Sequence, residues 1–277
     1  MTNTINSQYV IEDSQGPKFP WLQATEYRLR GAKDKVSICA PEEAIDLLTD
    51  EAKSLISPQA IEVNYTGEPQ LAFNLPAVRW VILGRPSTRF AQDKTDQKII
   101  PIYRGMKFAG QYKSVARVYL AAVVEDTLVL SADGTPQIWQ MKLSGLKTQW
   151  IDGQAGKTMS MLNASLCKHY GIKRGWVTHL VSTSICAFPR LFKGASDESW
   201  GVMFGFCDGD SARPLSEDNQ KALFDLVSGE DFKALLDDPF GLKAMEANEK
   251  SPGNDSGSID GRELEDYEEA DLDDIPF

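Results

Sequence analysis

The last fifteen residues of the chain, 263–277, limit what the rest can fold into. They hold eight carboxylates (Glu263, Glu265, Asp266, Glu268, Glu269, Asp271, Asp273 and Asp274) and no basic residue. Like charges at that density cannot enter a packed interior, so the segment is expected to be a solvated, disordered acidic tail. It stops on Ile275-Pro276-Phe277, where Pro276 has no backbone N–H and stiffens the end. An apolar plug beside a terminal carboxylate, preceded by acids, suits a small hydrophobic pocket ringed by Arg or Lys. Just before it, residues 251–261 are rich in Ser, Gly, Asn and Asp and read as a flexible linker. Stretched out, that linker carries the end on the order of 35 Å from the body. Any core must therefore be built from earlier residues.

The run Asp271-Leu272-Asp273-Asp274-Ile275-Pro276-Phe277 resembles the acidic C-terminal tip of the bacterial single-stranded DNA-binding proteins. Leu272 interrupts the all-acidic version of that tip, and the resemblance covers only about the last fifteen residues; the body matches no family we recognise. In that family the tip binds replication, recombination and repair enzymes while an OB-fold core binds DNA. The resemblance thus implies partner binding by Asp271, Asp273, Asp274, Ile275, Pro276 and Phe277, and a cytoplasmic, nucleoid-associated setting. The body exceeds the family's usual OB domain in length, which leaves homo-oligomerisation open. The plainer alternative is a tail that aids solubility.

Charge elsewhere is partitioned. The net value of -11 hides a middle of opposite sign: residues 79–193 carry 17 basic and 6 acidic groups. Residues 1–78 carry 6 and 11, residues 194–245 carry 4 and 11, and residues 246–277 carry 2 and 12. A basic middle in an acidic protein is the electrostatic footprint of a polyanion binder. An extended acidic tail can compete for the same surface.

Catalysis finds no support. Gly156-Lys157-Thr158 suggests a phosphate loop, but the first glycine of that motif belongs at position 151, which is Ile151. The four cysteines lie far apart without a C-x-x-C pair, and neither histidine is spaced to join them, so no zinc site is visible. His179 falls among Val177, Val181 and Ile185 and reads as a core residue. The acids form no spaced pair of the kind that holds a nuclease metal. No enzyme activity and no cofactor are implied. No apolar run approaches the ~20 residues of a membrane helix, and the first residues lack a signal pattern. A reduced cytosolic chain is the plain expectation.

The pattern from residue 70 onward predicts strands at 71–75, 78–83, 99–103, 114–124, 127–130, 137–143, 176–188 and 200–206. Helices are expected at 41–55, where Ala44, Leu47, Leu48, Ala52 and Leu55 share a face, and at 158–170, ending at Gly171. Many short strands with interspersed turns favour a barrel, here OB-like with helical insertions. The resulting map has a flexible N-terminus (1–18), a β-rich OB-like nucleic-acid-binding core (19–213), a helical region (214–249), a linker (250–262) and the tip (263–277). In the last strand Gly201 and Gly205 lie opposite Trp200, Val202, Phe204 and Phe206, and glycines at that spacing suit a bend.

A single strand is held by cations tracking phosphates and flat side chains stacking on bases. Strand parity sorts the candidates. Arg117 and Tyr119 alternate with Val118, Leu120 and Ala122 and are expected to face DNA. Trp80 sides with Val78 and Ile82, leaving Arg79 outward; Trp139 sides with Met141 and Leu143, leaving Lys142 outward. Two loops are richer. One carries Arg85, Arg89, Phe90, Lys94 and Lys98. The other interleaves Tyr103, Arg104, Lys107, Phe108, Tyr112 and Lys113 and is the preferred stacking platform, with core packing the alternative for each aromatic. Lys147, Trp150, Lys157, Lys168, Lys173 and Arg174 extend the basic surface, chiefly toward phosphates. Two rivals to a single-stranded DNA-binding protein stay open: a strand-annealing or recombination mediator, and an interaction protein that mimics the tip without binding DNA.

Overall fold

The computed structural model describes residues 19–24, 38–65, 68–87, 90–102, 111–153, 158–193, 198–207 and 211–242. In chain order these form β1 (Trp21–Ala24), β2 (Ile38–Pro41), α1 (Glu42–Asp46), α2 (Asp50–Ile56), β3 (Gln59–Tyr65), β4 (Glu68–Asn74), β5 (Arg79–Ile82), β6 (Phe90–Asp93) and β7 (Ile99–Pro101). Then come β8 (Tyr112–Val124), β9 (Thr127–Leu128), β10 (Ile138–Ser144), α3 (Gln149–Asp152), α4 (Met159–His169), β11 (Val181–Ser182), β12 (Ile185–Lys193) and β13 (Glu198–Phe206). β14 (Arg213–Pro214), α5 (Glu217–Ser228) and α6 (Glu230–Asp237) follow. A mixed sheet runs from β3 through β4, β2, β1, β10, β8 and β6 to β7, with β5 and β9 also bonded to β8. β12–β13 and β11–β14 form separate pairs. The chain is mainly β with helices, as its pattern predicts. Among the described residues the sheet is open, ending on β3 and β7, whereas an OB-like barrel requires closure.

β8 is the axis of this sheet. Its 13 residues pair on one edge with β10 and β9, and on the other with β6 and then β5. From Val115 to Val124 every residue except Arg117 is buried. Even positions (Ala116, Val118, Leu120, Ala122, Val124) join one core with Trp80, Trp139, Met141, Trp150 and Phe204. Odd positions (Tyr119, Ala121, Val123) join a second core with Val81, Leu83, Leu223 and Phe232. A strand apolar at both parities is one covered on both faces. That corrects the reading of the odd face as solvent-facing: α5 and α6 lie over it, with Tyr119 against Phe232 at 5.9 Å between ring centroids. Asn219 Nδ2 also donates to Asp126 O at 2.6 Å, tying α5 to the turn after β8.

Local capping explains several boundaries. Thr158, the end of the Gly-Lys-Thr triplet, is buried, and its hydroxyl accepts from Met161 N at 3.2 Å, starting α4 rather than cradling a phosphate. Gly171, at φ 67°, ends that helix. The helix expected over 41–55 is two: Thr49 Oγ1 accepts from Ala52 N at 3.1 Å and starts α2 afresh, leaving Leu47 exposed. The single strand expected over 176–188 is a 3-10 turn (Thr178–Leu180), β11 and the start of β12, with His179 buried in the turn as expected of a core histidine. α6 ends at Asp237, because the residue before Pro239 is disfavoured in helix; residues 243–249 of the expected helical region lie outside the described residues.

Two glycines admit close neighbours. A side chain on Gly84 would reach within 2.8 Å of Leu236 Cδ1, so its absence lets α6 settle on the sheet. On Gly205 a Cβ would lie 2.9 Å from Phe188 Cε1. The Phe188 ring covers this glycine. Gly205→Ala is expected to cost about 1 kcal/mol from overpacking, measured by urea unfolding, and to cost nothing once Phe188 is also changed to Ala.

Candidate nucleic-acid interface

The odd face of β8 changes character along its length. Beneath α5 and α6 it is apolar; toward the start of β8 it turns polar and basic. Register builds that end from four strands. Lys113 stands across from Gln92 on β6, Arg117 from Lys142 on β10, and Gln140 from Trp21 on β1. Side chains on one face of neighbouring strands stand about 4.5–5.5 Å apart at Cβ, and like charges directly opposite repel. Arg117 opposite Lys142 is therefore unfavourable by itself. Packing around Lys142, then the positive charges of Lys113 and Arg117, hold its ammonium below the usual lysine range. An anion laid over this face relieves that repulsion.

Arg117 is pinned. Its Nη1 donates to Pro239 O at 2.6 Å, and its guanidinium lies 5.0 Å from the centroid of the Phe240 ring. Phe240 in turn packs edge-on against Phe90 at 5.2 Å. The segment after α6 thus holds one arginine in a set position beside two lysines.

The pairing of β1 with β10 covers only Trp21 with Gln140 and Leu22 with Met141. Where it lapses, a cleft of about 320 Å³ opens, lined by Trp21, Gln23, Gln140, Arg117, Lys142, Lys147 and the Phe204 ring, with Leu22 and Met141. Lys147 Nζ stands 6.0 Å from the centroid of that ring. Gln140 is oriented by its Nε2 donating to Phe19 O at 3.2 Å.

The expected binding residues divide sharply. Lys113, Arg117, Lys142 and Lys147 gather around this face and cleft. Lys94 and Lys98 are exposed on the β6–β7 hairpin, whose turn is held by Asp93 Oδ1 accepting from Thr95 N at 2.7 Å and Asp96 Oδ1 from Lys98 N at 2.8 Å. Arg85 is exposed after β5. Tyr112 is half-buried and, by alternation, on the face opposite Lys113. Four expectations are corrected. Tyr119 is 1% exposed beneath α6; Trp150 is 1% exposed, 5.7 Å from both the Phe204 and Phe206 rings; Phe90 is 7% exposed under Phe240. Each is an apolar ring that the tertiary layers cover, so none can stack on a base. Arg79 is a clamp, giving Nε to Ser182 Oγ at 3.1 Å and Nη2 to Ser182 O at 3.0 Å and Ser211 O at 2.9 Å. Those bonds join β5 to β11 and spend its donors on the fold.

Arg89, Tyr103, Arg104, Lys107 and Phe108, with most of the preferred stacking loop, lie outside the described residues, as do Lys157 and the tip residues Asp271, Asp273, Asp274, Ile275, Pro276 and Phe277. Trp21, Gln23 and Gln140, outside the expected binding set, also line the cleft. The available signal was a lone tryptophan where the polar N-terminal stretch ends, in Phe19-Pro20-Trp21. No family model matches this chain, and no curated protein or solved structure is significantly similar to it.

Proposed function

We propose that this protein binds single-stranded DNA without catalysing a reaction, and that its C-terminal tip recruits replication, recombination and repair proteins in the cytoplasm at the nucleoid. The observation that carries the DNA-binding part is the gathering of Lys113, Arg117 and Lys142 on one sheet face beside Trp21, in the one region of the chain whose charge is strongly positive. Cations backed by a flat aromatic are what an unpaired strand requires. In this reading the strand crosses β8 and β10 in an OB-like manner, over an open sheet. The tip part rests on its charge, its apolar end and its resemblance to the tips of single-stranded DNA-binding proteins. Phosphate neutralisation supplies most of the affinity, so binding falls with salt by about 0.7 log units per log unit of salt for each contacted phosphate.

Fluorescence anisotropy of a labelled dT oligonucleotide, at two salt concentrations and with duplex competitor, tests the reading. The expected result is salt-sensitive binding that prefers the single strand, and that tightens at low salt when the chain is ended at Gly261. Equal affinity with and without residues 262–277 would sink competition by the tail. No binding by either form would overturn the DNA-binding reading and leave an interaction protein.

A further inference from the structure

We propose that the cleft between β1 and β10 is a site for one nucleoside carrying a terminal phosphate, either a free nucleotide or the 5′-phosphorylated end of a strand. The inference builds on the single-strand reading but is separable from it.

Size comes first. At about 320 Å³ the cleft is near the bottom of the range for small-molecule sites, about 300–1,000 Å³. It accepts one nucleotide, not a strand running through it. Its chemistry is divided in the same way as a nucleotide's. Trp21 offers ring surface for a base, and Gln140, with its Nε2 already given to Phe19 O, keeps its carboxamide oxygen as an acceptor for a base edge. Arg117, Lys142 and Lys147 line the remainder.

Charge decides which phosphate. An internal phosphodiester brings one negative charge, which Arg117 and Lys142 overcompensate. A terminal phosphate brings about −1.5 to −2 at pH 7 and three acceptor oxygens, a closer match. Arg117 is held in place by Pro239 O and Phe240 before any ligand arrives, so its forked donors are ordered at little further entropic cost. The repulsion felt by Lys142 from Arg117 and Lys113 adds a gain that only an anion realises.

The test uses the full chain with indole ¹⁵N labelling and Trp21→Phe to assign the Trp21 signal. Thymidine 5′-monophosphate is expected to move that signal while thymidine at equal concentration does not. Lys142→Gln, an exposed change, is expected to weaken the monophosphate about tenfold. In parallel, dT oligonucleotides with a 5′-phosphate and a 5′-hydroxyl are compared. Tighter binding of the phosphorylated end supports the site and names strand ends as its ligand. Equal binding of the two oligonucleotides with a response to the monophosphate supports it and names free nucleotides. If neither the monophosphate nor the 5′-phosphate has any effect while oligonucleotides still bind, the cleft proposal is overturned and the single-strand reading stands. A Trp21 response to the monophosphate without oligonucleotide binding does the reverse.

Discussion

Replacing Lys113 and Lys142 together by Gln lowers dT oligonucleotide affinity on the order of twenty-fold near 0.1 M salt, and flattens the log–log salt slope by about 1.4, if each contacts one phosphate. The folded state does not suffer. Lys142 is exposed and Lys113 half-buried, and the pair contributes to the repulsion around Arg117. Thermal stability is therefore expected to hold or rise slightly while binding falls. Few structural defects move those two quantities in opposite directions. Anisotropy titrations across a salt series, with a melting curve on the same sample, read both. An unchanged salt slope would remove this face from the interface. Tyr119→Phe is the matched control: its ring is sealed beneath α6, so affinity is expected to stay unchanged.

Phe232→Ala is expected to destabilise the protein by about 3–5 kcal/mol, the usual cost of emptying a buried phenylalanine site. Phe232 is 3% exposed, sits 5.9 Å from the Tyr119 ring, and reaches toward the bare backbone of Gly84. It is the buried side chain of α6, so its loss leaves that helix held by the half-buried Leu235 and Leu236. Urea unfolding measures the change; a loss below about 1 kcal/mol would mean that α6 adds little to the covering of the odd face. Tyr119 and Val123 would then have to be protected by α5, Leu215 and Phe19.

Alternation alone places Trp80 and Trp139 in the core and Lys142 outside it. That works because parity depends only on extended backbone geometry. The same rule failed at Tyr119. Val115, Ala121 and Val123 are also apolar, so the odd face of β8 carried its own signal of burial, overridden by the presence of Arg117. In sequence Phe90 reads as a loop aromatic, because nothing near it shows that Phe240, 150 residues later, packs on its ring. In sequence Trp150 lies in a basic neighbourhood, yet it is core by contact, since Phe204 and Phe206 reach it from 54 and 56 residues later.

The sequence by itself determined the mainly β character, the positions of β4, β5, β7, β8, β9, β10 and β13, the end of α4 at Gly171 and the net positive charge of residues 79–193. All of these rest on backbone preference, short-range periodicity or plain counting. Only the tertiary structure decided which face of β8 meets solvent and which cations share it. It took α5 and α6 to cover one half of the odd face, and β1 lying parallel beside β10 to bring Trp21 to Gln140 and Lys142. Those pairings join residues more than a hundred positions apart, chosen by burial of apolar area across the whole sheet rather than by any local pattern.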